Sequence, residues 1–319
     1  MAELTAGVDL GGTKIQTVVM REMDVVGTHR AATPHSGADD VIAEIAGAIR
    51  SALAEAGADT TDLGSVGIGS PGEIDADAGV VSASPNVPGF QQAVPLGPRV
   101  AAALGDGVTL RIENDVRVAM LGEHRRGAAR PFRDVLGVFV GTGVGGGLIL
   151  DGVLRRGRGA AGEIGHTIVK PDGRMCSDGR RGHLEAYAGR GRMEVHARHL
   201  AEHGKHTILF DVMRDKGKDR LSSGVFARAL HEGDAMAESL IDDAVWALGV
   251  TLASTQNLLD LEAIVIGGGL GDRLGRPFVD RVAEAMVPNL FVPDRPPQML
   301  TTELQDLSGA VGAALLAAG

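Results

Sequence analysis

One cysteine, Cys176, in 319 residues excludes an intrachain disulfide, and with it the stapled fold of a small secreted protein. Aromatic residues are scarce too: seven Phe, one Tyr and one Trp supply few platforms for stacking the bases of a single strand. Positive charge is outnumbered, with 31 Lys plus Arg against 41 Asp plus Glu for a net charge of −10. That is the reverse of a general nucleic-acid binder's footprint, so no nucleic-acid partner is expected. Long apolar runs are also missing. The uncharged run from Val135 to Leu150 has 16 residues, six of them glycine, short of the roughly 20 that span a bilayer, so no membrane span is expected. The opening residues carry Glu3 and Asp9 where a secretory leader would be basic and apolar, and the expected location is the cytoplasm.

What the chain has in quantity is small and apolar residues. At 44% apolar it can fill one large or two medium cores. Its 47 glycines are about twice the usual ~7% share and gather between β-like runs. Residues 5–20, TAGVDLGGTKIQTVVM, read as a hairpin around a Gly-Gly turn. Asp39 and Asp40 are candidate caps for a helix carrying Ile42, Ile45, Ile49 and Leu53 at helical spacing and stopping near Gly57. Strands are expected at 65–69 and 108–112, an ordered Pro- and Gly-rich excursion at 70–98, and a helix from Asn114 or Asp115. Val135–Leu150 repeats the opening pattern, with Gly141 holding the place of Gly11. Such self-similarity predicts an α/β fold of two related lobes with a cleft between them. The segment from about 186 to 260 is mainly helical in pattern, with Leu240, Ala244, Leu248 and Leu252 four apart. A strand at 263–266 runs into Gly267, and 308–319 reads as a tightly packed last helix.

Three glycine clusters are candidates for chemistry. Gly11 and Gly12, flanked by Asp9, Thr13 and Lys14, open a turn whose N–H groups can cradle phosphate; a plain hairpin turn is the simpler account of that cluster by itself. Gly141, Thr142 and Gly143 are followed by Gly145, Gly146 and Gly147. Each such glycine weakens a strand by about 0.5–1 kcal/mol, which close approach to a ligand would explain. Gly267, Gly268 and Gly269 leave space for a nucleotide's ribose or base, or simply turn a strand into a helix. Asn114 and Asp115 stand at a strand-to-helix junction, where capping accounts for one of them; a carboxylate there could accept the proton of an attacking hydroxyl. Glu163, His166 and Glu185 add groups of the kind that read vicinal sugar hydroxyls. Phosphoryl transfer demands charge neutralisation, so Mg²⁺ is expected with the nucleotide.

In order along the chain, DLGGTK at 9–14, SPGEID at 70–75, SPNVPGF at 84–90, END at 113–115, GTGVGGG at 141–147, GEIGH at 162–166 and GGG at 267–269 resemble the motifs of the ROK family of sugar kinases, within the actin-like, hexokinase-like ATPases. The resemblance covers the chain from end to end. It implies two ribonuclease-H-like lobes: 1–115, with the final helix at about 306–319 packing back on it, and 116–305. It implies an ATP-dependent kinase acting on the primary hydroxyl of a hexose, glucose first, with fructose, mannose, allose or an N-acetylated hexosamine as alternatives. By resemblance, Asp9, Gly11, Gly12, Thr13 and Lys14 form a first phosphate loop with Asp9 near the magnesium. Gly141, Thr142 and Gly143 form a second, and Gly267, Gly268 and Gly269 line the adenosine. Asp115 is the implied base, and Gly72, Asn86, Asn114, Asp115, Glu163, His166 and Glu185 are the implied sugar contacts. A homodimer is usual among similar proteins.

The family carries CxCGxxGCxE after ExGH, three thiolates that bind a structural zinc together with the ExGH histidine. This chain departs from that pattern: Cys176 to Glu185 reads CSDGRRGHLE, so Asp178 and His183 take two thiolate places beside His166. Both residue types ligate zinc, but such a site is harder and weaker. The expectation leans to a loop held by Arg180, Arg181 and Asp178 through hydrogen bonds and ion pairs. His196, His199 and His203 share a helix face and receive no role. Two competing readings differ in class or donor. One is a catalytically silent sugar-sensing protein, although a first glycine turn at residue 9 leaves no space for the DNA-reading module of ROK-like repressors. The other is polyphosphate as donor, which the acidic balance disfavours.

Overall fold

The structure is a computed structural model and describes residues 3–105 and 107–319. Strands β1 (Leu4–Leu10), β2 (Lys14–Arg21) and β3 (Asp24–Ala32) form an antiparallel meander. Helix α1 (Ala38–Glu55) then carries the chain to β4 (Leu63–Ser70), which lies parallel to β1. A short hairpin, β5 (Glu73–Asp75) with β6 (Val80–Ser82), and helix α2 (Leu96–Leu104) precede β7 (Thr109–Asn114), parallel to β4. The sheet order is β3-β2-β1-β4-β7. Ile42, Ile45, Ile49 and Leu53 of α1 are buried as their spacing demands. The residue before the helix is Gly37, however, and Asp39 and Asp40 sit in the first turn, where their charge meets the positive end of the helix dipole.

Helix α3 (Asp115–Arg126) leads to a second sheet. Strands β8 (Val135–Val140), β9 (Val144–Leu150) and β10 (Val153–Arg155) form another antiparallel meander. A long excursion follows, with α4 (Glu185–Ala188), α5 (Arg190–Glu202), α6 (Leu209–Asp215), α7 (Ser223–His231) and α8 (Ala235–Leu259). Strand β11 (Ala263–Gly267) runs parallel to β8, and after α9 (Gly268–Met286) strand β12 (Gln298–Thr301) runs parallel to β11. The order β10-β9-β8-β11-β12 repeats the first sheet in connectivity and direction. Each sheet keeps its own apolar core, one around Ile45 and Ile68, the other around Leu248 and Ile266.

Helix α10 (Ser308–Ala318) returns from β12 to the first sheet. It lies so close to β1 and β4 that a Cβ on Gly7 would strike the Ala310 carbonyl, and one on Gly67 the Ala313 carbonyl. Among the described residues no helix is long and apolar enough to cross a membrane. The register pairs Asp9 with Gly69 and Ser70 with Asn114. The parallel strands therefore deliver Asp9, Ser70 and Asn114 to one end of the sheet, their carboxyl end, where open α/β sheets bind ligands.

Candidate active site

The first glycine turn joins β1 to β2. Gly11 N–H donates to the Lys14 carbonyl at 2.9 Å. Buried Thr33 locks the turn from the side, its hydroxyl donating to Gly11 O at 2.6 Å and its N–H to Thr13 O at 3.1 Å. Among the described residues the N–H groups of Gly12 and Thr13 have no protein acceptor, which leaves them for an anion. Gly12 lies against the Asn86 carbonyl where a Cβ would collide, tying the 70–98 excursion to the turn. Gly72 has φ +107, and a Cβ there would lie 2.5 Å from Ser82 O, so the turn into β5 itself requires glycine. Lys14 Nζ donates to Asp306 Oδ1 at 2.9 Å. Burial and the neighbouring Asp115 charge raise the Asp9 carboxyl to about 7, with Lys14 pulling the other way. A cation would relieve that acidic pair, so these residues fit a magnesium site.

The second turn is like the first but one residue tighter: Gly141 N–H donates to Gly143 O at 2.9 Å, where Gly11 N–H reaches Lys14 O. Arg190 N–H donates to Gly141 O at 3.1 Å and Gly191 N–H to Thr142 O at 2.9 Å, so α5 holds the carbonyl side of the turn. The N–H groups of Thr142 and Gly143 have no acceptor among the described residues. The glycines beyond the turn serve the protein instead of a ligand. A Cβ on Gly145 would meet Val116, one on Gly146 the Gly162 carbonyl, and one on Gly147 Met120. This corrects the expectation that close approach to a ligand explains the whole run. Gly267 packs on Thr302 and Phe139, and Gly268, at φ +81, packs on Val140. Only Gly269 of that cluster leaves room, its nearest neighbours being Ser223 Oγ at 3.5 Å and an Arg190 guanidinium nitrogen at 3.7 Å.

Between the turns stands the start of α3. Asn114 is its N-cap, its side-chain oxygen accepting from Val116 N–H at 3.1 Å and Arg117 N–H at 3.2 Å, which leaves its NH₂ group for other work. Asp115 is half-buried. Burial raises its carboxyl to about 6 against the lowering effect of the Val116 N–H, and the Glu163 charge adds to the rise. Glu163 is exposed and 3.7 Å from the buried Arg117 guanidinium. Arg117 also pairs with buried Glu113 at 3.2 Å and donates to the carbonyls of Gly159 and Ala161. Arg156 bonds the other Glu113 oxygen. Helix α3 thus holds the 156–163 loop beside Asp115. Glu185 braces the second turn, one oxygen accepting from Val144 N–H at 3.0 Å and the other from the hydroxyl of Ser177. Thr33, Arg117 and Arg190 were not legible as site residues. Nothing marks the first two in sequence, while Arg190 stands between Gly189 and Gly191 at the start of a helix.

His166, Cys176, Asp178 and His183 come together, their ligand atoms all within 4.8 Å of one another. His166 Nδ1 is 3.2 Å from Asp178 Oδ2, and His183 Nδ1 is 3.4 Å from both Asp178 Oδ2 and His166 Nδ1. Those separations match the edges, roughly 3.3–3.4 Å, of a tetrahedron with zinc-to-nitrogen or zinc-to-oxygen bonds of about 2.0–2.1 Å. The residues therefore fit a four-coordinate ion. Burial alone would raise the Asp178 carboxyl, but the Arg180 N–H, His183 and Cys176 hold it below its ordinary value. Of the arginines expected to hold this loop, Arg180 is exposed with its guanidinium 3.9 Å from Asp178, and Arg181 donates to Gly173 O at 3.2 Å. Just past α5, His203 Nδ1 meets His199 O at 2.7 Å, and these imidazoles form no metal-ligating group among the described residues.

Compared with known families, residues 5–319 match one described as the ROK family. This chain belongs to the ROK family. The glucokinase of Thermotoga maritima is 34% identical to it over 97% of this chain and 95% of that protein. A ROK family glucokinase from Streptomyces griseus, solved in complex with glucose and AMPPNP, is 33% identical, with a TM-score of 0.82 over 99% of both chains. A ROK hexokinase from Thermus thermophilus is 32% identical, with a TM-score of 0.81 over 99% of this chain and 98% of that one. The repeated sheets of this ROK protein are accordingly those of the actin-like, hexokinase-like ATPases.

Proposed function

We propose that this ROK protein transfers the γ-phosphoryl group of ATP to the primary hydroxyl of glucose, with Asp115 as the base. The protein is an ATP-dependent sugar kinase. The observation that carries the mechanism is the setting of Asp115. It opens a helix between two anion-ready turns, coupled to Asp9 on one side and Glu163 on the other. With its carboxyl raised to about 6, it is ionised at neutral pH yet basic enough to take a proton from the attacking hydroxyl. Gly12, Thr13, Thr142 and Gly143 donate to the phosphates. Gly269 leaves space for the adenosine, with Gly267 and Gly268 shaping the turn beneath it. Glu163, His166, the Asn114 NH₂ group, Glu185 and the segment of Gly72 and Asn86 orient the sugar. Asp9 would help to hold Mg²⁺, which would neutralise charge on the phosphates. We take residues up to 115, with the chain from about 306, as one lobe and 116–305 as the other. Their closure would exclude water as a competing acceptor. We place the enzyme in the cytoplasm, where ATP is supplied, as a homodimer, which light scattering measures.

A coupled assay with MgATP and glucose, fructose, mannose, allose and N-acetylated hexosamines tests the function. Turnover is expected, highest with glucose, and none with any of these sugars would sink the reading. Asp115→Ala should keep glucose binding, read by titration, while phosphorylation falls by about 10²-fold or more.

We also propose that His166, Cys176, Asp178 and His183 hold a structural Zn²⁺, which would cross-link the 166–185 excursion. What supports this is the tetrahedral spacing of the ligand atoms. Elemental analysis of the purified protein should find about one zinc per chain. It should fall strongly in Asp178→Ala, and a chelator should lower the melting temperature of the wild type but not of that variant. Metal-free wild-type protein with an unchanged melting temperature leaves the loop to its hydrogen bonds.

A further inference from the structure

Arg190 is the first residue of α5 and touches the second glycine turn twice. Its backbone holds the Gly141 carbonyl. Its guanidinium reaches back over the same turn, one terminal nitrogen donating to Thr142 Oγ1 at 3.0 Å and the other to Ser223 Oγ, at the start of α7, at 2.8 Å. The latter nitrogen is also the one that lies 3.7 Å from where a Cβ of Gly269 would be. The group therefore spans the gap from the second turn to the wall formed by α7 and α9.

Its charge is left over. Both partners are neutral hydroxyls, and among the described residues no carboxylate lies within 4.0 Å of it. Glu194, whose charge acts on it, is committed to Arg198 at 2.6 Å, to the Leu221 N–H at 2.9 Å and to Arg220 at 3.7 Å. Burial and the neighbouring Arg220 pull the Arg190 guanidinium below its ordinary value, as expected for a cation without a counter-charge. Of the five N–H donors in a guanidinium, two are used by the hydroxyls. The remaining three form part of a planar fork of the kind that suits phosphate oxygens.

We infer that Arg190 binds the phosphate chain of the nucleotide at the end nearer the ribose, bridging the Gly141–Gly143 turn and the Gly269 wall. The inference rests on the kinase reading, because it takes those two features as the phosphate and adenosine sides of the site. It adds a role that the glycine turns cannot fill, since backbone N–H groups carry only partial charge. A group that holds the inner phosphates meets ATP, the transition state and ADP alike. It strengthens binding uniformly and leaves the chemical step alone. Arg190 and Asp115 should therefore divide the kinetics, the first moving KM for ATP and the second kcat.

The test is titration of MgADP and, separately, of glucose into wild type, Arg190→Gln, Arg190→Ala and Arg190→Lys, with steady-state kinetics in ATP. Loss of charge-assisted bonds should weaken MgADP binding and raise KM for ATP by about 10- to 100-fold in the Gln and Ala variants. Lys should recover part of the loss, and kcat and glucose affinity should stay within about 2-fold of wild type. The dependence of MgADP affinity on salt should flatten in Arg190→Gln. Arg190→Gln binding MgADP as tightly as wild type would make the side chain a mere clip between two hydroxyls and overturn the inference. So would a parallel fall in glucose affinity, the sign of a disturbed scaffold. Should the Ala variant fail to fold, the Gln and Lys pair decides alone. Wild-type protein that takes up no MgADP would overturn the kinase reading itself, a result distinct from either.

Discussion

At the scale of single residues, the active centre gives up stability to keep two acids close. Asp9 is raised to about 7, first by burial and then by the Asp115 charge, and Asp115 to about 6, first by burial with Glu163 adding to it. In the mechanism proposed above Asp115 must be ionised to act as the base, so kcat/KM for glucose should rise with pH through about 6 and level above it. The same shifts act on folding with a definite sign. The folded protein holds the Asp9 proton up to about pH 7, while the unfolded chain releases it near the ordinary 3.8. The associated stability is fully present below about pH 4 and is lost as pH rises through about 7. Asp9→Asn removes the charge that cannot be comfortably buried. At pH 8 it should be about 1–2 kcal/mol more stable than wild type, allowing for solvent screening at this half-buried site, and no more stable at pH 4. Urea unfolding at the two pH values reads this directly. An Asn variant less stable at pH 8 would mean that the Asp9 carboxylate is well solvated where it stands.

At the scale of elements, legibility followed periodicity. The stripe Ile42, Ile45, Ile49, Leu53 and the four-residue steps from Leu240 to Leu252 gave helices because one buried face is written every turn, and all eight are buried. Both glycine-turn hairpins were legible for the same kind of reason, a turn signal between two β-like runs. Glycine identity was legible but its purpose was not. Gly145, Gly146 and Gly147 read as space for a ligand, yet Val116, the Gly162 carbonyl and Met120 occupy that space. Contacts between residues 16 to 29 positions apart in sequence leave no periodic trace that would separate them from contacts with a nucleotide. The same holds for Arg117: Glu113 is four residues away, but Gly159 and Ala161 reach it only through the fold. The cap at Asn114 was legible because it is local: its acceptor and donors lie within three residues.

At the scale of the whole molecule, the chain passes between its two sheets twice, through α3 after β7 and through α10 after β12. These two crossings pack backbone to backbone. A Cβ on Gly312 of α10 would strike the Val118 carbonyl of α3, and one on Gly122 of α3 would lie against the Ser308 carbonyl. Buried Glu123 seals the joint, accepting from the N–H groups of Glu303 at 3.0 Å and Leu304 at 2.9 Å and from the Ser308 hydroxyl at 2.7 Å. On the lobe division proposed above, closure would turn about this joint, so its tightness would set both stability and the closed geometry. Glycine-to-alanine exchange separates this effect from intrinsic helix preference, which favours alanine by about 1 kcal/mol anywhere inside a helix. Gly47 of α1 has nothing within 4 Å of an added Cβ, and Gly47→Ala should stabilise by about 0.5–1 kcal/mol with unchanged kinetics. Gly312→Ala should instead destabilise by about 1–3 kcal/mol, because the methyl group forces two helices apart. It should also lower kcat/KM for glucose, since Asp115 rides on the displaced helix. Denaturant titrations and kinetics of the two variants side by side decide the matter. Gains of equal size at both positions would mean that the crossing has slack, and that the lobes close about some other part of the chain.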